Sequence, residues 1–136
     1  MQVEYSHTLS SHERAHIISQ VILHDRAAVG ATTPKLIDFG ARIEGTLVGG
    51  VCGRIELRRL FVEYLWVESR YRGNGIGTQL LKAVEYAASA RGCRECQIES
   101  LSVATAHIYI ARGYRVMYRL PDYIPGLSLI VLVKQL

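Results

Sequence analysis

Glycines stand at positions 73, 75 and 77 of the stretch RYRGNGIGTQLL, residues 70–81, with arginines at 70 and 72 just before them. Glycine lets a backbone turn sharply and lets amide N–H groups approach a ligand without a Cβ in the way. The stretch then runs into apolar residues at helical spacing: Ile76, Leu80, Val84, Ala87 and Ala88. The first turn of a helix carries unpaired N–H groups and the positive end of the helix dipole, so the loop reads as an anion site. Arg70 and Arg72 add charge, and a guanidinium grips a phosphate through two bonds. A nucleoside triphosphate loop would need a lysine after its last glycine, and Thr78 stands there. The dinucleotide fingerprint needs G-x-G-x-x-G after the first strand of a βαβ unit. Here the spacing is G-x-G-x-G, and hairpin-like strands precede it. A glycine turn without a ligand would leave the two arginines unexplained.

Two other motifs carry chemistry only on paper. His12-Glu13-Arg14-Ala15-His16 matches the zinc-protease pattern H-E-x-x-H. Its histidines share a helix face opposite Ile18, Val21 and Ile22, and Ser19 and Ile22 occupy the places where the extended pattern needs glycine and a third histidine. No metal is expected. Cys93-Arg-Glu-Cys96 follows a helix and enters a strand, whereas a redox C-x-x-C has its first cysteine at a helix N-terminus. With only Cys52 besides, these read as ordinary small core or edge residues.

The elements that must position the loop follow from periodicity. Residues 2–8 read as a strand, and Ser10-Ser11-His12-Glu13 as a capping box opening a helix that fades near Gly30. Residues 31–34 read as loop. Residues 35–43 and 47–56 form a hairpin about Glu44-Gly45-Thr46, and 60–67 is a third strand. The glycine-led helix ends at Arg91-Gly92. A strand follows at 96–101, then a short helix at 104–112 stopped by Gly113. Strands 116–120 and 127–133 close the chain, separated by a turn holding Pro121, Pro125 and Gly126. This order predicts one α/β domain over residues 1–136: a mixed, mostly antiparallel sheet with helices on its faces.

With 136 residues and a net charge of +4, the chain has material for one core. No apolar run reaches membrane-span length, and the N-terminus lacks the basic-then-apolar order of a signal peptide. Three cysteines are too few for a disulfide framework. A cytoplasmic location and no membrane partner are the expectation. The arginines crowd into residues 54–72, but lysine tails and regularly spaced aromatics are missing, which argues for a small anionic ligand over nucleic acid.

Arg72-x-x-Gly75-x-Gly77, after the strand ending Leu65-Trp66-Val67 and before a long amphipathic helix, resembles the acetyl-CoA pyrophosphate loop of the GNAT superfamily of N-acetyltransferases, [QR]-x-x-G-x-[GA]. Tyr109-Ile-Ala-Arg-Gly-Tyr114 is similar to that family's Tyr-x-x-x-Gly-[FY] segment. The resemblance implies a sheet splayed at its middle strands to admit the pantetheine arm. It implies that the backbone of Leu65, Trp66 and Val67 lines that opening, with the Leu65 N–H facing the thioester oxygen. Arg72, Gly73, Asn74, Gly75, Ile76, Gly77 and Thr78 would wrap the diphosphate, and Arg70 is either a phosphate contact or exposed. Tyr109 takes the place of the general acid. Ser102 stands where many members carry a cofactor-binding asparagine. The segment between the first helix and the second strand is short, so part of the usual acceptor lid is missing or irregular.

Two carboxylates are candidates for the base, acting directly or through water. Glu63 is in phase with Leu65 and Val67 if side chains alternate strictly, and Glu99 lies on the next strand. The expected function is acetyl transfer from acetyl-CoA to a primary amine of a small-molecule or peptide acceptor by direct attack. A CoA-binding module without catalysis and a toxin-like enzyme acting on aminoacyl-tRNA stand as alternatives. The apolar last strand offers an edge for a homodimer.

Overall fold

The computed structural model describes residues 1–30 and 33–136. The chain divides into two units, Met1–Thr33 and Pro34–Leu136, and each is taken by itself. The first unit is helix α1, Ser11–Arg26, followed by a single 3₁₀ turn at Ala27–Val29 and by Gly30 in the left-handed region at φ +70°. The capping box is present: the Glu13 N–H donates to Ser10 Oγ at 3.0 Å and the Ser10 N–H donates to Glu13 Oε1 at 2.8 Å. The Ser10 N–H, and after it the Ser10 hydroxyl, favour the ionised carboxylate and hold the Glu13 carboxyl below its ordinary pKa. Residues 2–8 are not a strand. Their pattern suits one, but a strand exists only by pairing its backbone, and among the described residues no segment pairs with them. Of the loop expected at 31–34, residues 31–32 lie outside the described residues.

The second unit holds a six-stranded sheet. Its strands are β1 (Lys35–Ile43), β2 (Thr46–Glu56), β3 (Arg59–Val67), β4 (Glu95–Ser100), β5 (Arg115–Ile124) and β6 (Leu127–Gln135), in the order β1-β2-β3-β4-β6-β5. All neighbours are antiparallel except β3 and β4, which are parallel. A parallel pair needs a crossover, and helix α2, Ile76–Ala90, supplies it. Helix α3, Val103–Ile110, connects β4 to β5. One row of side chains, among them Ile37, Val62, Ile98 and Leu132, faces Leu80, Leu81, Val84 and Ala88 of α2 and Ala106 and Tyr109 of α3 in a single buried cluster. The turn expected around Pro121 is instead an irregular stretch within β5. The register slips between Leu120 and Ile124, where Asp122 adopts φ +49°. Proline lacks an N–H for the ladder, and a bulge on an edge strand accommodates that.

Two departures from regular pairing create the site. The parallel β3–β4 ladder runs only from Arg59↔Glu95 to Val62↔Ile98, although β3 continues to Val67. The second departure is a bulge: β2 pairs Gly53 with Val62 but Cys52 with Tyr64, leaving Glu63 as the extra residue. A bulge bends its strand and resets the alternation of side chains. Val62 and Leu65 therefore both face the core cluster, three positions apart. Glu63 does not share a face with Leu65 and Val67, as strict alternation had it.

A polar cluster is buried beneath α2. Glu85 is only 8% exposed. It accepts from the Tyr114 hydroxyl at 2.6 Å and pairs with Lys134 at 2.9 Å, and the same hydroxyl lies 3.1 Å from Cys96 Sγ. Leu81 and Glu85 were absent from the expected buried stripe. A carboxylate reads as solvent-facing until the lysine and tyrosine that satisfy it, 49 and 29 positions away, are brought to it. Burial pushes the Cys96 thiol up to about 12 and raises the Tyr114 phenol well above its ordinary range. The folded chain thus keeps protons that the unfolded chain loses above pH 9 for the thiol and above 10 for the phenol. Stability from this source is intact below pH 9 and declines above it, by about 1.4 kcal/mol per pH unit for each proton retained. Urea midpoints measured from pH 7 to 10.5 should be level to about 9 and then fall; Cys96→Ala should flatten the first part of the fall.

Candidate active site

The loop ahead of α2 is shaped by its glycines. After a 3₁₀ turn at Ser69–Tyr71, Gly73 and Gly75 adopt φ +79° and +82°, where side chains are strained. Gly75 is the N-cap of α2 and has no side chain to cap it. The first helical bond runs from the Gln79 N–H to the Gly75 carbonyl at 3.0 Å. The N–H groups of Ile76, Gly77 and Thr78 are therefore left without a partner inside the helix. A Cβ placed on Gly73 or Gly75 would meet nothing within 4 Å, so the space in front of the amides is open. Gly77 has ordinary dihedrals, and a Cβ there would touch only Val67 Cγ2 at 3.6 Å.

Arg72 is anchored, its Nε donating to the Val67 carbonyl at 2.8 Å, which leaves its terminal nitrogens for an anion. Asn74 donates its amide to the Tyr71 and Arg72 carbonyls and so braces the loop. Arg70 points elsewhere: it pairs with Glu68 at 3.5 Å and lies over the Tyr71 ring.

The gap between β3 and β4 opens beside this loop. The Glu68 N–H bonds to the Val48 carbonyl of β2 at 2.8 Å. Backbone groups alternate along a strand, so Trp66 also turns toward β2 while the N–H and C=O of Leu65 and Val67 turn into the gap. The Val67 carbonyl is taken by Arg72, leaving the Val67 N–H and both groups of Leu65 to a guest. A cavity of about 540 Å³ joins these parts. Leu65, Trp66 and Val67 form one wall, the loop and the start of α2 a second, and Thr105, Ile108, Tyr109 and Arg112 a third. Tyr109 is 8% exposed and reaches the cavity from the core. Burial raises its phenol, partly offset by the Arg112 charge, so the hydroxyl keeps its proton at neutral pH. Gly113, at φ +97°, follows α3 and lets the Tyr114 N–H reach back to the Tyr109 carbonyl at 3.1 Å; the two rings meet tilted at 58°, their centres 5.9 Å apart.

Glu63 and Glu99 lie in a second cavity of about 340 Å³ with Arg54, Phe61 and Gln97. Each carboxylate is the first residue beyond the last β3–β4 pair, Val62↔Ile98, one on each strand. Phe61 and Gln97 alternate with core-facing Leu60, Val62, Cys96 and Ile98, so this cavity belongs to the sheet face away from α2 and α3. Arg54 lies 3.8 Å from Glu63 and 4.2 Å above the Phe61 ring.

Of the sequence candidates, Leu65, Trp66, Val67, Arg72, Gly73, Gly75, Ile76, Gly77, Thr78 and Tyr109 share the large cavity. Glu63 and Glu99 share the smaller one, and Arg70, Asn74 and Ser102 line neither. Ser102 is the N-cap of α3, accepting from the Thr105 N–H at 3.2 Å. Sequence reading missed Arg112, which crosses from α3 to donate to Thr78 Oγ1 at 2.7 Å. It also missed Thr105, four residues before Tyr109, and Ile108, three after Thr105; that helical spacing was the available signal. Among the described residues no group of three or more His, Cys, Asp or Glu side chains is arranged for a metal ion, and no helix is long and apolar enough to cross a membrane.

A glycine-led helix start with open amides beside parted parallel strands is the arrangement that the acetyltransferase resemblance implied, and comparison with known proteins gives the family. Residues 5–114 match the model of the acetyltransferase (GNAT) family. The blasticidin-S acetyltransferase of Streptomyces morookaense is 37% identical over 93 residues, covering 68% of each chain. The crystal structure of an acetyltransferase from Bacillus cereus superposes with a TM-score of 0.83 at 27% identity, covering 98% of both chains. The PaiA N-acetyltransferase of Thermoplasma acidophilum, solved in complex with coenzyme A, shares the fold with a TM-score of 0.63 at 20% identity over 74% of this chain and 61% of that one. The chain belongs to the GNAT family of acetyltransferases, and by class it is an N-acetyltransferase.

Proposed function

We propose that the protein transfers the acetyl group of acetyl-CoA to a primary amine of a small molecule by direct attack. The observation that carries this reading is the convergence of two independent features on one cavity. The partnerless amides of Ile76, Gly77 and Thr78 suit a diphosphate, and the inward-facing backbone of Leu65 and Val67 suits the amides of a pantetheine arm. Bound acetyl-CoA supplies an activated thioester.

The residues then divide the work. Glu99, whose carboxylate bonds to no described residue, takes the proton of the acceptor ammonium, freeing the lone pair. The amine nitrogen attacks the thioester carbon, and the Leu65 N–H faces the oxygen that gains charge. When the C–S bond breaks, Tyr109 gives its proton to the departing sulfur, and the second proton that the nitrogen sheds as the amide forms restores the phenol. Positioning amine and thioester on either side of one gap makes the encounter local. Calorimetric titration with acetyl-CoA and a thiol-release assay over a panel of primary amines test this. Binding together with amine-dependent thiol release supports it; binding with no release for any amine would make the protein a sensor module, and absence of binding would remove the basis of the reading.

A further inference from the structure

The smaller cavity carries both signs of charge, and that restricts what can enter it. We propose that the acceptor is zwitterionic, bearing a carboxylate that Arg54 receives in addition to the amine that Glu63 and Glu99 receive; this rests on the transferase reading above. Arg54 is not a free surface arginine. Its guanidinium carbon lies 4.2 Å from the centre of the Phe61 ring, a cation–π contact that holds the group over the ring and leaves its N–H donors for acceptors. Nothing else holds it firmly: its Nε is 3.5 Å from Glu56 and its Nη1 is 3.8 Å from Glu63, both long for charge-assisted bonds. A carboxylate on the guest would complete this half-used fork.

The carboxylates complement it. Glu63 and Glu99 stand where β3 and β4 part, so an ammonium held between them is at the gap through which the acetyl group is delivered. Arg54 lies on β2, paired with Phe61 on β3, so the guest's anionic end is directed along the strands away from the gap. A polyamine would have to set its second cation against Arg54, whereas an amino acid or amino sugar acid satisfies both ends. A neutral amine would leave the guanidinium without a new partner.

The test is a thiol-release assay with acetyl-CoA and three matched series of acceptors of increasing length: ω-amino carboxylic acids, their amides, and diamines. At the best length the acid should exceed its amide and the diamine in kcat/KM by about tenfold or more, the worth of one charge-assisted bond. Arg54→Gln should shrink the acid-to-amide ratio toward one, and Arg54→Lys should restore part of it. Equal rates for acid and amide in the wild type, or a ratio unchanged in Arg54→Gln, would overturn the inference while leaving acetyl transfer standing. No thiol release with any acceptor would overturn the transferase reading, and the inference falls with it.

Discussion

Tyr109→Phe should lower kcat by about 10²–10⁴-fold, the usual worth of a positioned general acid, and leave the acetyl-CoA dissociation constant within about threefold. The change removes one oxygen and keeps the ring that packs 5.9 Å from Tyr114, so the fold should lose little. Tyr109 lines the large cavity, and burial holds the proton on its phenol. A thiolate leaving into a pocket sheltered from water needs such a donor nearby. The pH profile gives an independent check. The phenol acts in its protonated form and its pKa is raised above 10, so its contribution should persist through pH 9 and decline only beyond its ordinary value. Kinetics and calorimetry on the same preparation decide the matter: an unchanged kcat would mean that solvent protonates the sulfur.

The other large effect is expected at Gly75. Gly75→Val should weaken acetyl-CoA binding at least tenfold, and the companion Gly77→Ala should change it little. Gly75 holds φ +82°, which costs a β-branched residue on the order of 1–2 kcal/mol or more, enough to shift the loop and unseat the amides behind it. Its Cβ would also project into the open space where a diphosphate would lie. At position 77 the dihedrals are ordinary and the nearest atom is 3.6 Å away, so alanine fits. If both variants bound acetyl-CoA like the wild type, the anion would have to be held by side chains such as Arg72 and Arg112 alone.

The contrast between these two glycines shows what the chain states locally. A loop of residues 70–78 followed by a helical stripe is a short-range pattern, and so are the Ser10 box, the Glu44-Gly45 hairpin and the Gly113 stop. Each depends on dihedral preferences and hydrogen bonds within about five residues, which a one-dimensional reading captures. The two motifs that point to acetyl transfer are of this kind, and so their residues could be named before the sheet was known. The strand expected at residues 2–8 failed because a strand depends on a partner elsewhere.

What tertiary structure alone decided is how those pieces face one another. The bulge at Glu63 is invisible in the residues themselves, because it arises from the register of β2 against β3, yet it turns the carboxylate to the face opposite Leu65. Arg112 and Thr78, 34 positions apart, meet only when α3 packs beside α2. Buried Glu85 is tolerable only because Tyr114 and Lys134 come to it. Local preferences are energies of a few neighbouring bonds. The division into two cavities, one beside the glycine loop and one at Glu63 and Glu99, is set by long-range pairing and by where that pairing stops, at Val62 and Ile98.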